Sequence, residues 1–371
     1  MEEKKKTVAL IFGGKSVEHE ISVRSAKTVR AGLIEAGFQV VCVGVTKEGR
    51  WFDFEIGNLK NITTVDEWIG NPIFQAEPVQ KLRECYFAPG GGGEIRYVGH
   101  HHLMKNVDVV FPLIHGTGGE DGALQGYLEI AGVPYVGCGV QASAVCMNKA
   151  LTKTVLREND IPVVENIVVT ERFFQGELPR GRGEMPDFDS VAEELGSPFF
   201  VKPANLGSSI GVSKVTCEEE FEPAFKAACK NDGTILFEKA IDGRELECAV
   251  LNWVMPDVAG PGEIITQDGW YSYDEKYSQE STSAVILEPK NLDEETREKI
   301  RQLARDTFIA LECHGMARVD MFFVSPDEIY VNEVNTIPGF TSISMYPKLW
   351  EKALPLPELL KKLIDGVEMG F

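Results

Sequence analysis

The sequence predicts an α/β protein that is divided into two or three domains and begins with a parallel sheet. Its 371 residues are too many for one ordinary hydrophobic core. The amino-terminal segment passes from an apolar strand through a polar loop and a helix to a second apolar strand, which is typical of a doubly wound sheet. A hydrophobic content of 43% with 9% aromatic residues indicates a globular protein.

The amino-terminal unit, which we assign to residues 1–141, accounts for the parallel sheet. Its predicted elements are a strand at 7–12, a helix at 22–37, a strand at 38–46, a strand in "VDVVFPLIHG", a short helix in "DGALQGYLEIAG" and a strand in "VPYVG". Between them, the four consecutive glycines of "APGGGGEIRYVG" predict either a hairpin tip or a mobile loop. The triple histidine at 100–102 is predicted to be loop, because three adjacent side chains chelate one ion poorly.

Two further units are predicted at residues 142–240 and 241–371. The elements of the middle unit are a helix at 142–159, strands at 162–169, 198–202, 211–215 and 234–238, and a helix at 217–230. Those of the last unit are strands near 244–253 and 262–266, a helix at 292–313, two strands that meet around "SPDE", and closing helical segments.

The composition excludes several classes of partner. A formal charge of −20 argues against nucleic acid and against an anionic membrane, since either calls for a basic face. The first apolar run is too short for a signal peptide, and no stretch approaches the roughly 20 apolar residues of a membrane span. The eight scattered cysteines are expected to be reduced thiols of a cytoplasmic protein.

Oxygen-bearing side chains converge in "ARVDMFFVSPDEIYVNEVN". Asp320 lies on one strand of a predicted hairpin, and Glu333 and Asn335 lie two residues apart on the other, so they face the same side. Such hard oxygen donors are the ligands that Mg²⁺ prefers. The alternative is a solvated surface hairpin, but the continuous apolar run "MFFV" indicates a strand that is covered on both faces.

Two glycine-containing turns are candidates for a nucleotide site. In "FFVKPANLGSSIGVSKV" a buried strand ends in Lys202, and small residues then let backbone N–H groups approach phosphate oxygens. A plain β-hairpin explains this stretch equally well. In "FEKAIDGRELECAV", Glu238 and Lys239 end a strand that could face an adenine edge, with an acid following for ribose hydroxyls. An exposed acidic turn is an equal alternative there.

The loops that follow two strands of the first sheet carry candidate substrate residues. "GGKSVEHEIS" lacks the dinucleotide fingerprint but offers Glu18, which could pair with a substrate ammonium. His115, in "FPLIHGTGGEDG", ends a strand at the same sheet edge, where ligands of open α/β sheets bind. A capping turn and a structural histidine are the alternatives. Lys276, in "GWYSYDEKYSQESTSAV", belongs either to a solvent loop or to a lid over a phosphate.

Together these motifs resemble the D-alanine–D-alanine ligase family of the ATP-grasp superfamily. The resemblance runs from residue 7 to about residue 360. It is strongest in "HGTGGEDGALQG" and in the pair "ARVDMFF" and "VNEVNTIPG", and "GGKSVEHEIS", "VKPANLGSSIG" and "DEKYS" agree with it. It implies a three-domain ATP-grasp α/β enzyme with an amino-terminal Rossmann-like parallel sheet.

Carried over residue by residue, the resemblance implies a nucleotide site, a metal site and two amino-acid sites. Its nucleotide residues would be Lys149 and Lys202 at the α and β phosphates, Lys276 at the γ phosphate, Glu238, Lys239 and Ile241 at the adenine and Glu245 at the ribose. Asp320, Glu333 and Asn335 would hold two Mg²⁺ ions, which Mn²⁺ could replace. Glu18 would bind the ammonium of the first D-alanine near His115, and Ser342 to Ser344 the carboxylate of the second. Arg318 and the Gly339 backbone would form the oxyanion hole, and Glu18, Ser208 and Tyr277 a hydrogen-bonded set.

The reaction implied by the resemblance is the ATP-dependent joining of two D-alanines through an acyl phosphate, for peptidoglycan precursors. D-serine or D-lactate as acceptor is the alternative, although "DEKYS" favours an amino acid over D-lactate. Another carboxylate–amine ligase, or an ATP-binding regulatory protein without turnover, are more distant alternatives. The resemblance also implies a cytoplasmic homodimer. Insertions around residues 75–105 and 176–190 depart from the family pattern.

Overall fold

Three sheets follow one another along the chain, in the order that the sequence predicts. The computed structural model describes residues 5–54, 63–69, 83–170, 186–207, 210–252, 255–265 and 284–368. Ser208, Lys276 and Tyr277 lie outside these described residues, as does most of the insertion around 176–190. Among the described helices, none combines the length and apolar character that a membrane span requires.

The first sheet has seven strands and contains the predicted parallel pairing. Its strands are β1 (Thr7–Gly13), β2 (Gln39–Val45), β3 (Trp51–Phe54), β4 (Arg83–Phe87), β5 (Glu94–Tyr97), β6 (Met104–Asn106) and β7 (Val109–Pro112), in the order β6-β5-β4-β3-β2-β1-β7. β1 runs parallel to both neighbours, β2 and β7, whereas the other pairs are antiparallel. The apolar run at 8–12 is fully buried because β1 is covered on both faces.

Helices α1 (His19–Glu35), α2 (Val65–Ile69) and α3 (Ala123–Ala131) belong to this first unit. The predicted start of α1 at Ser22 is wrong, because Ser22 does not cap the helix. Its hydroxyl donates to the carbonyl oxygen of Leu113 at 2.6 Å and accepts from the Gly13 N–H at 2.8 Å. Ser22 thus joins the ends of β1 and β7. The glycines at 90–93 form the turn of the β4–β5 hairpin, which confirms the hairpin alternative.

The predicted helix at 142–159 is two helices, α4 (Val140–Met147) and α5 (Lys149–Glu158). Asn148 interrupts it with extended backbone angles, and its side chain accepts a hydrogen bond from the Leu151 N–H at 3.0 Å. This N-cap begins α5 at Lys149, whose own N–H donates to the Ala204 carbonyl oxygen at 2.9 Å. The break therefore ties the start of α5 to the glycine-rich loop after the next sheet's strand.

The second sheet is antiparallel, with strands β8 (Asn166–Thr170), β9 (Phe199–Pro203), β10 (Ser213–Val215) and β11 (Thr234–Lys239) in the order β10-β9-β11-β8. Helices α6 (Phe188–Leu195) and α7 (Glu218–Cys229) cover it. The stacked rings of Phe221 and Phe237 lie in this core, with centroids 5.3 Å apart. Most predicted elements of the middle unit are present, although β8 begins four residues later than expected.

The third sheet carries the hairpin predicted around "SPDE". Its strands are β12 (Arg244–Asn252), β13 (Pro256–Ile265), β14 (Ala284–Ile286), β15 (Met316–Ser325) and β16 (Glu328–Asn335), in the order β14-β13-β12-β15-β16. Helix α8 (Glu294–Ala310) packs against it together with α4 and α5. β13 begins six residues earlier than the predicted strand at 262–266.

The last described helices return the chain to its amino-terminal sheet. α9 (Met345–Trp350) packs on β12 and β13, and α10 (Leu356–Glu368) packs on α1. Leu359, Leu360 and Leu363 share one buried core with α1 side chains. At Gly32 of α1 an added Cβ would lie 2.7 Å from Leu360, so glycine lets the two helices approach. The first and third units therefore form a common core beside the site.

Candidate active site

A cavity of about 610 Å³ lies where the loops of the first sheet meet the ends of β15 and β16. It is lined by many of the residues that the sequence predicts as functional: Glu18, His115, Lys149, Arg318, Glu333, Asn335, Gly339, Ser342 and Ser344. These side chains come from all parts of the chain. The fold therefore brings the predicted substrate loop and the predicted metal ligands to one space.

His115 connects the first sheet to the segment after β16. One ring nitrogen, Nδ1, is 2.9 Å from the carbonyl oxygen of Ile337, and Nε2 is 3.1 Å from the Ser25 hydroxyl. Since a carbonyl only accepts, Nδ1 carries the proton, and Nε2 accepts from Ser25. Ser25 in turn accepts from the Phe340 N–H at 3.2 Å. Burial lowers the pKa of His115, so the ring is neutral.

Glu18 lies between two glycine-containing loops. It precedes α1 and is only 9% exposed. A Cβ added at Gly116 would lie 2.6 Å from Glu18 Oε2, and one at Gly207 would lie 3.6 Å from the same atom. Glycine at position 116 therefore lets its loop close on the carboxylate, whereas the distance at Gly207 is an ordinary van der Waals contact. Ser208, the predicted hydrogen-bond partner of Glu18, is the next residue in the sequence after Gly207.

Glu120 bridges the same two parts of the molecule. Its carboxylate accepts from the Gly116 N–H at 2.7 Å and from the Ile337 N–H at 2.9 Å. Burial and the nearby charge of Glu18 raise the pKa of Glu120 to about 8. The neighbouring Asp121 accepts from the Gly118 N–H at 2.7 Å and from the N–H of Ala123, the first residue of α3, at 3.0 Å.

Three carboxylates lie in one row across neighbouring strands of the third sheet. Asp320 on β15 pairs with Glu333 on β16, and on its other side with Glu247 on β12. Directly opposite residues of antiparallel strands point to the same face. The amide of Asn335 donates to Asp320 Oδ2 at 3.0 Å. The structure therefore brings together the three predicted metal ligands and adds Glu247, which the sequence left unassigned.

Two cations neutralise this row. Arg318 binds Asp320 through two hydrogen bonds of 2.7 Å, and its Nε lies 3.1 Å from Glu247 Oε2. Lys149 Nζ lies 3.0 Å from Glu333 Oε2 and donates to the Leu206 carbonyl oxygen at 2.8 Å. Burial alone would lower the pKa of Arg318, but Asp320 and Glu247 outweigh it and raise that pKa well above its usual value.

The donor set fits a hard divalent cation. Asp320 and Glu333 supply carboxylate oxygens, and Asn335, whose amide nitrogen binds Asp320, keeps its own oxygen as a further donor. Within the described ranges, no group of three His, Cys, Asp or Glu side chains is arranged to hold a metal ion. The set is thus short of ligands from protein alone. This is the arrangement in which Mg²⁺ completes its shell with water and phosphate oxygens.

A second charged cluster lies on the side of the predicted nucleotide. Lys202 on β9 is ion-paired with Glu238 on β11, and Lys153 of α5 contacts the same carboxylate at 2.9 Å. Lys153 is fully buried and was not found from the sequence. Burial lowers the pKa of Lys153 to about 8, although Glu238 opposes the shift. For Glu238, burial raises the pKa, but the two lysines outweigh it and lower that pKa.

Three other predicted nucleotide residues lie in the described part of the chain, between the end of β11 and the start of β12. Lys239 is half-exposed and ion-paired with Glu165 at 3.1 Å, and Ile241 follows it at partial exposure. Glu245 lines a small cavity of about 30 Å³ together with Asp320 and Glu333. The predicted ribose residue and the predicted metal ligands are therefore neighbours.

The segment after β16 closes the cavity with a tight turn. Ser344 Oγ accepts from the Thr341 N–H at 2.9 Å and lies 2.8 Å from the Thr341 hydroxyl. A Cβ added at Gly339 would lie 2.7 Å from that same Ser344 oxygen, so only glycine fits there without displacing it. Arg24 and Lys348 also line the cavity, and neither was singled out from the sequence.

Two family models match this chain. The model described as D-ala D-ala ligase N-terminus matches residues 7–138, and that described as D-ala D-ala ligase C-terminus matches residues 155–365. A curated relative, D-alanine--D-alanine ligase A of Chromobacterium violaceum, is 41% identical over 366 residues, which cover 98% of this chain and 95% of the relative.

Solved structures agree with the family models. The D-alanine-D-alanine ligase from Coxiella burnetii is 36% identical with a TM-score of 0.80, covering 99% of this chain and 95% of that one. The VanG D-Ala:D-Ser ligase from Enterococcus faecalis is 32% identical with a TM-score of 0.82, covering 98% of this chain and 100% of that one.

Proposed function

This chain belongs to the D-alanine–D-alanine ligase family, and from that membership we propose that its cavity joins two D-alanine molecules at the expense of ATP. The chain is an ATP-grasp enzyme and an ADP-forming carboxylate–amine ligase, whose dipeptide serves peptidoglycan synthesis. A carboxylate is a poor electrophile, so the reaction passes through an acyl phosphate that the second amine attacks.

One observation carries the proposal: a single cavity holds both an amino-acid end and a charge-stabilising end. Glu18 and His115 enter it from the first sheet, and Arg318 and Glu333 enter it from the third. An ATP-binding regulatory protein without turnover has no need of an oxyanion donor such as the one proposed for Arg318. The arrangement therefore supports turnover rather than binding alone.

The amino-acid end orients the first D-alanine. Glu18 is the buried anion that receives its ammonium group, and neutral His115 lies nearby without adding positive charge. Glu120 ties the loop after β7 to Ile337 and so fixes the distance between the substrate loop and the third sheet. We propose that this fixed geometry directs the carboxylate of the first D-alanine towards Arg318, so that the bound reactants react in an effectively unimolecular step.

The charge-stabilising end serves both steps of the reaction. When bound, Mg²⁺ reduces the repulsion between the attacking carboxylate and the triphosphate. Lys149 and Lys202 are then proposed to hold the α and β phosphates; the ammonium group of Lys149 contacts the proposed metal ligand Glu333, and that of Lys202 pairs with Glu238. In the second step, negative charge develops on the former carboxyl oxygen. Arg318 and the Gly339 backbone donate to it, and preorganised donors of this kind are usually the largest catalytic contribution.

The other predicted roles remain proposals. We propose that Glu238, Lys239 and Ile241 line the adenine and that Glu245 binds the ribose, since the chain passes through these residues from the end of β11 into β12. Ser342 and Ser344, at the turn that closes the cavity, bind the acceptor carboxylate. Lys276, Ser208 and Tyr277 lie outside the described residues, where we propose a lid that excludes water from the acyl phosphate.

D-alanine is favoured as the acceptor. The full-length curated relatives near 40% identity carry D-alanine--D-alanine ligase names, whereas the D-Ala:D-Ser ligase resembles this chain at 32% identity. D-serine remains a second candidate because that structure covers 98% of this chain.

Further details are proposed with the function. We propose two Mg²⁺ ions, replaceable by Mn²⁺, as the family resemblance implies, with Asp320, Glu333 and Asn335 as the residues that would hold them. A cytoplasmic location is supported by ATP consumption and by eight cysteines that are all free. A homodimer is proposed, with exposed Val98 and Met104 of the added hairpin region as a candidate surface. The domains are proposed at 1–141, 142–240 and 241–371, each with its own sheet.

Phosphate release and product mass test the function directly. With ATP, Mg²⁺ and D-alanine, we expect ADP, phosphate and D-alanyl-D-alanine. Adding D-serine or D-lactate in competition ranks the acceptors. If neither dipeptide nor phosphate forms under any condition, the substrate assignment is wrong, although the fold is unaffected.

A further inference from the structure

We propose that Glu247 of β12 is a positioning residue that keeps Arg318 in place once Asp320 is engaged by metal. The inference rests on the proposed function, because it concerns the donor that stabilises the tetrahedral oxyanion. Glu247 lines both the main cavity and the small one beside Glu245. Glu247 lies opposite Asp320 on β12, and Glu333 lies opposite Asp320 on β16, so the two glutamates flank the strand that carries Arg318.

Asp320 has two roles that compete for the same atoms. In this structure its Oδ1 accepts from Arg318 Nε and its Oδ2 accepts from Arg318 Nη2, each at 2.7 Å, and Oδ2 also accepts from Asn335. A carboxylate that binds a divalent ion gives up at least one oxygen to it. Metal binding therefore weakens the contact that now fixes the guanidinium.

Glu247 is placed to take over that contact. Its Oε2 lies 3.1 Å from Arg318 Nε, the nitrogen whose N–H is directed at Asp320. The residue opposite Arg318 on β12 is Ala249, whose small side chain leaves room for the guanidinium to lie over the strand. Glu247 is two residues along from Ala249, and its side chain is only 8% exposed. A buried carboxylate at this distance holds an arginine with little screening by water.

The free edge of Arg318 then remains available for the reaction. Within the described part of the chain, no residue accepts a hydrogen bond from Arg318 Nη1, and Arg318 lines the cavity. An anchor on Nε leaves the Nη groups for a ligand. A guanidinium with no anchor would instead follow the metal-bound phosphates by charge attraction, away from the developing oxyanion.

The competing interpretation is that Glu247 is itself a metal ligand, since it lies directly opposite Asp320. The two interpretations predict different losses. A positioning residue affects the stabilisation of the tetrahedral species and leaves metal affinity unchanged. Loss of a metal-binding residue lowers metal affinity, whether or not kcat also changes.

The test is Glu247→Gln in the full chain, with Glu263→Gln as a matched control. Glu263 is also a buried carboxylate of the third sheet paired with an arginine, Arg244, at 2.7 Å, but it lies outside the cavity. For Glu247→Gln we expect kcat to fall about tenfold and affinity for a phosphinate dipeptide analogue, a mimic of the tetrahedral species, to fall by the same factor. The KM for ATP and the Mg²⁺ affinity measured by calorimetry with a non-hydrolysable ATP analogue should stay within twofold.

The control should lose thermal stability while its kcat and phosphinate affinity stay within twofold of wild type. Glu247→Asp retains the charge and should recover part of kcat. If the glutamine variant does not fold, the same measurements are made on the aspartate variant. Mg²⁺ affinity falling in parallel with kcat would make Glu247 a ligand and overturn the proposal, as would unchanged kcat. If wild type makes no dipeptide, the proposed function fails instead, a result independent of any variant.

Discussion

Replacing Arg318 by methionine should lower both kcat and folding stability. Added Mg²⁺ should restore part of the lost stability but not the lost kcat. The substitution keeps an apolar stem but removes the charge that now neutralises Asp320 and Glu247. Loss of an oxyanion donor costs about 3 kcal/mol of transition-state stabilisation, or roughly 100-fold in kcat. Removing one partner of a buried ion pair costs about 3–5 kcal/mol of folding stability.

The structure places the stability loss near the lower end of that range. Lys149 still neutralises Glu333, so only Asp320 and Glu247 lose their counter-charge. A divalent ion bound at Asp320 restores much of it. We therefore expect the variant to lose about 3 kcal/mol without Mg²⁺ and to regain more stability than wild type on adding it.

Urea denaturation with and without Mg²⁺ measures the stability change, and steady-state assays measure kcat. ATP affinity, measured by calorimetry, should stay close to that of wild type and serves as the control for folding. Near-normal turnover would remove Arg318 from the oxyanion role. An equal gain from Mg²⁺ in variant and wild type would refute the charge argument.

Four further changes test other parts of the site. Glu333→Gln should raise the Mg²⁺ concentration needed for half-maximal rate at least about tenfold, and an unchanged metal titration would exclude it as a ligand. Lys153→Met should weaken ATP binding about tenfold by calorimetry, because Glu238 would then draw on Lys202 alone, whereas D-alanine binding should not change. Gly339→Ala should cost about 1–3 kcal/mol of stability in thermal melts and raise the acceptor KM, since its Cβ would displace the Ser344 hydroxyl. The folded pKa of Glu120, about 8, lies above its ordinary 4.5, so folding takes up a proton between these values and stability falls as pH rises through them. The fall should amount to about 4 kcal/mol and disappear in Glu120→Gln; parallel pH–stability curves for the two proteins would contradict it.

Local patterns were enough to predict that the three proposed metal ligands lie together. Asp320, Glu333 and Asn335 lie on two strands joined by a tight turn, so the sequence between them nearly fixes their register. Alternation along a strand then places Glu333 and Asn335 on one face. The strand–loop–helix start of the first sheet was predictable for the same reason, because its apolar run and its loop are adjacent in sequence.

Long-range contacts were beyond the reach of such patterns. Glu120 bonds to a backbone group 217 residues away, and nothing in its own segment indicates that partner. Glu247 and Lys153 depend similarly on how distant strands and helices are placed beside each other. The break at Asn148 was missed because one non-helical residue leaves the apolar periodicity of α4 and α5 almost intact. Family resemblance, rather than periodicity, supplied the roles of Lys149 and Arg318.

The packing of α10 on α1 has a consequence for synthesis on the ribosome. α1 ends at Glu35 and α10 begins at Leu356, so about 320 residues are translated between the two halves of one core. At typical elongation rates this interval lasts on the order of tens of seconds. Throughout it, the apolar side of α1 that will meet Leu360 has no covering helix. The nascent amino-terminal sheet is therefore a natural client for chaperones until its final helix leaves the exit tunnel.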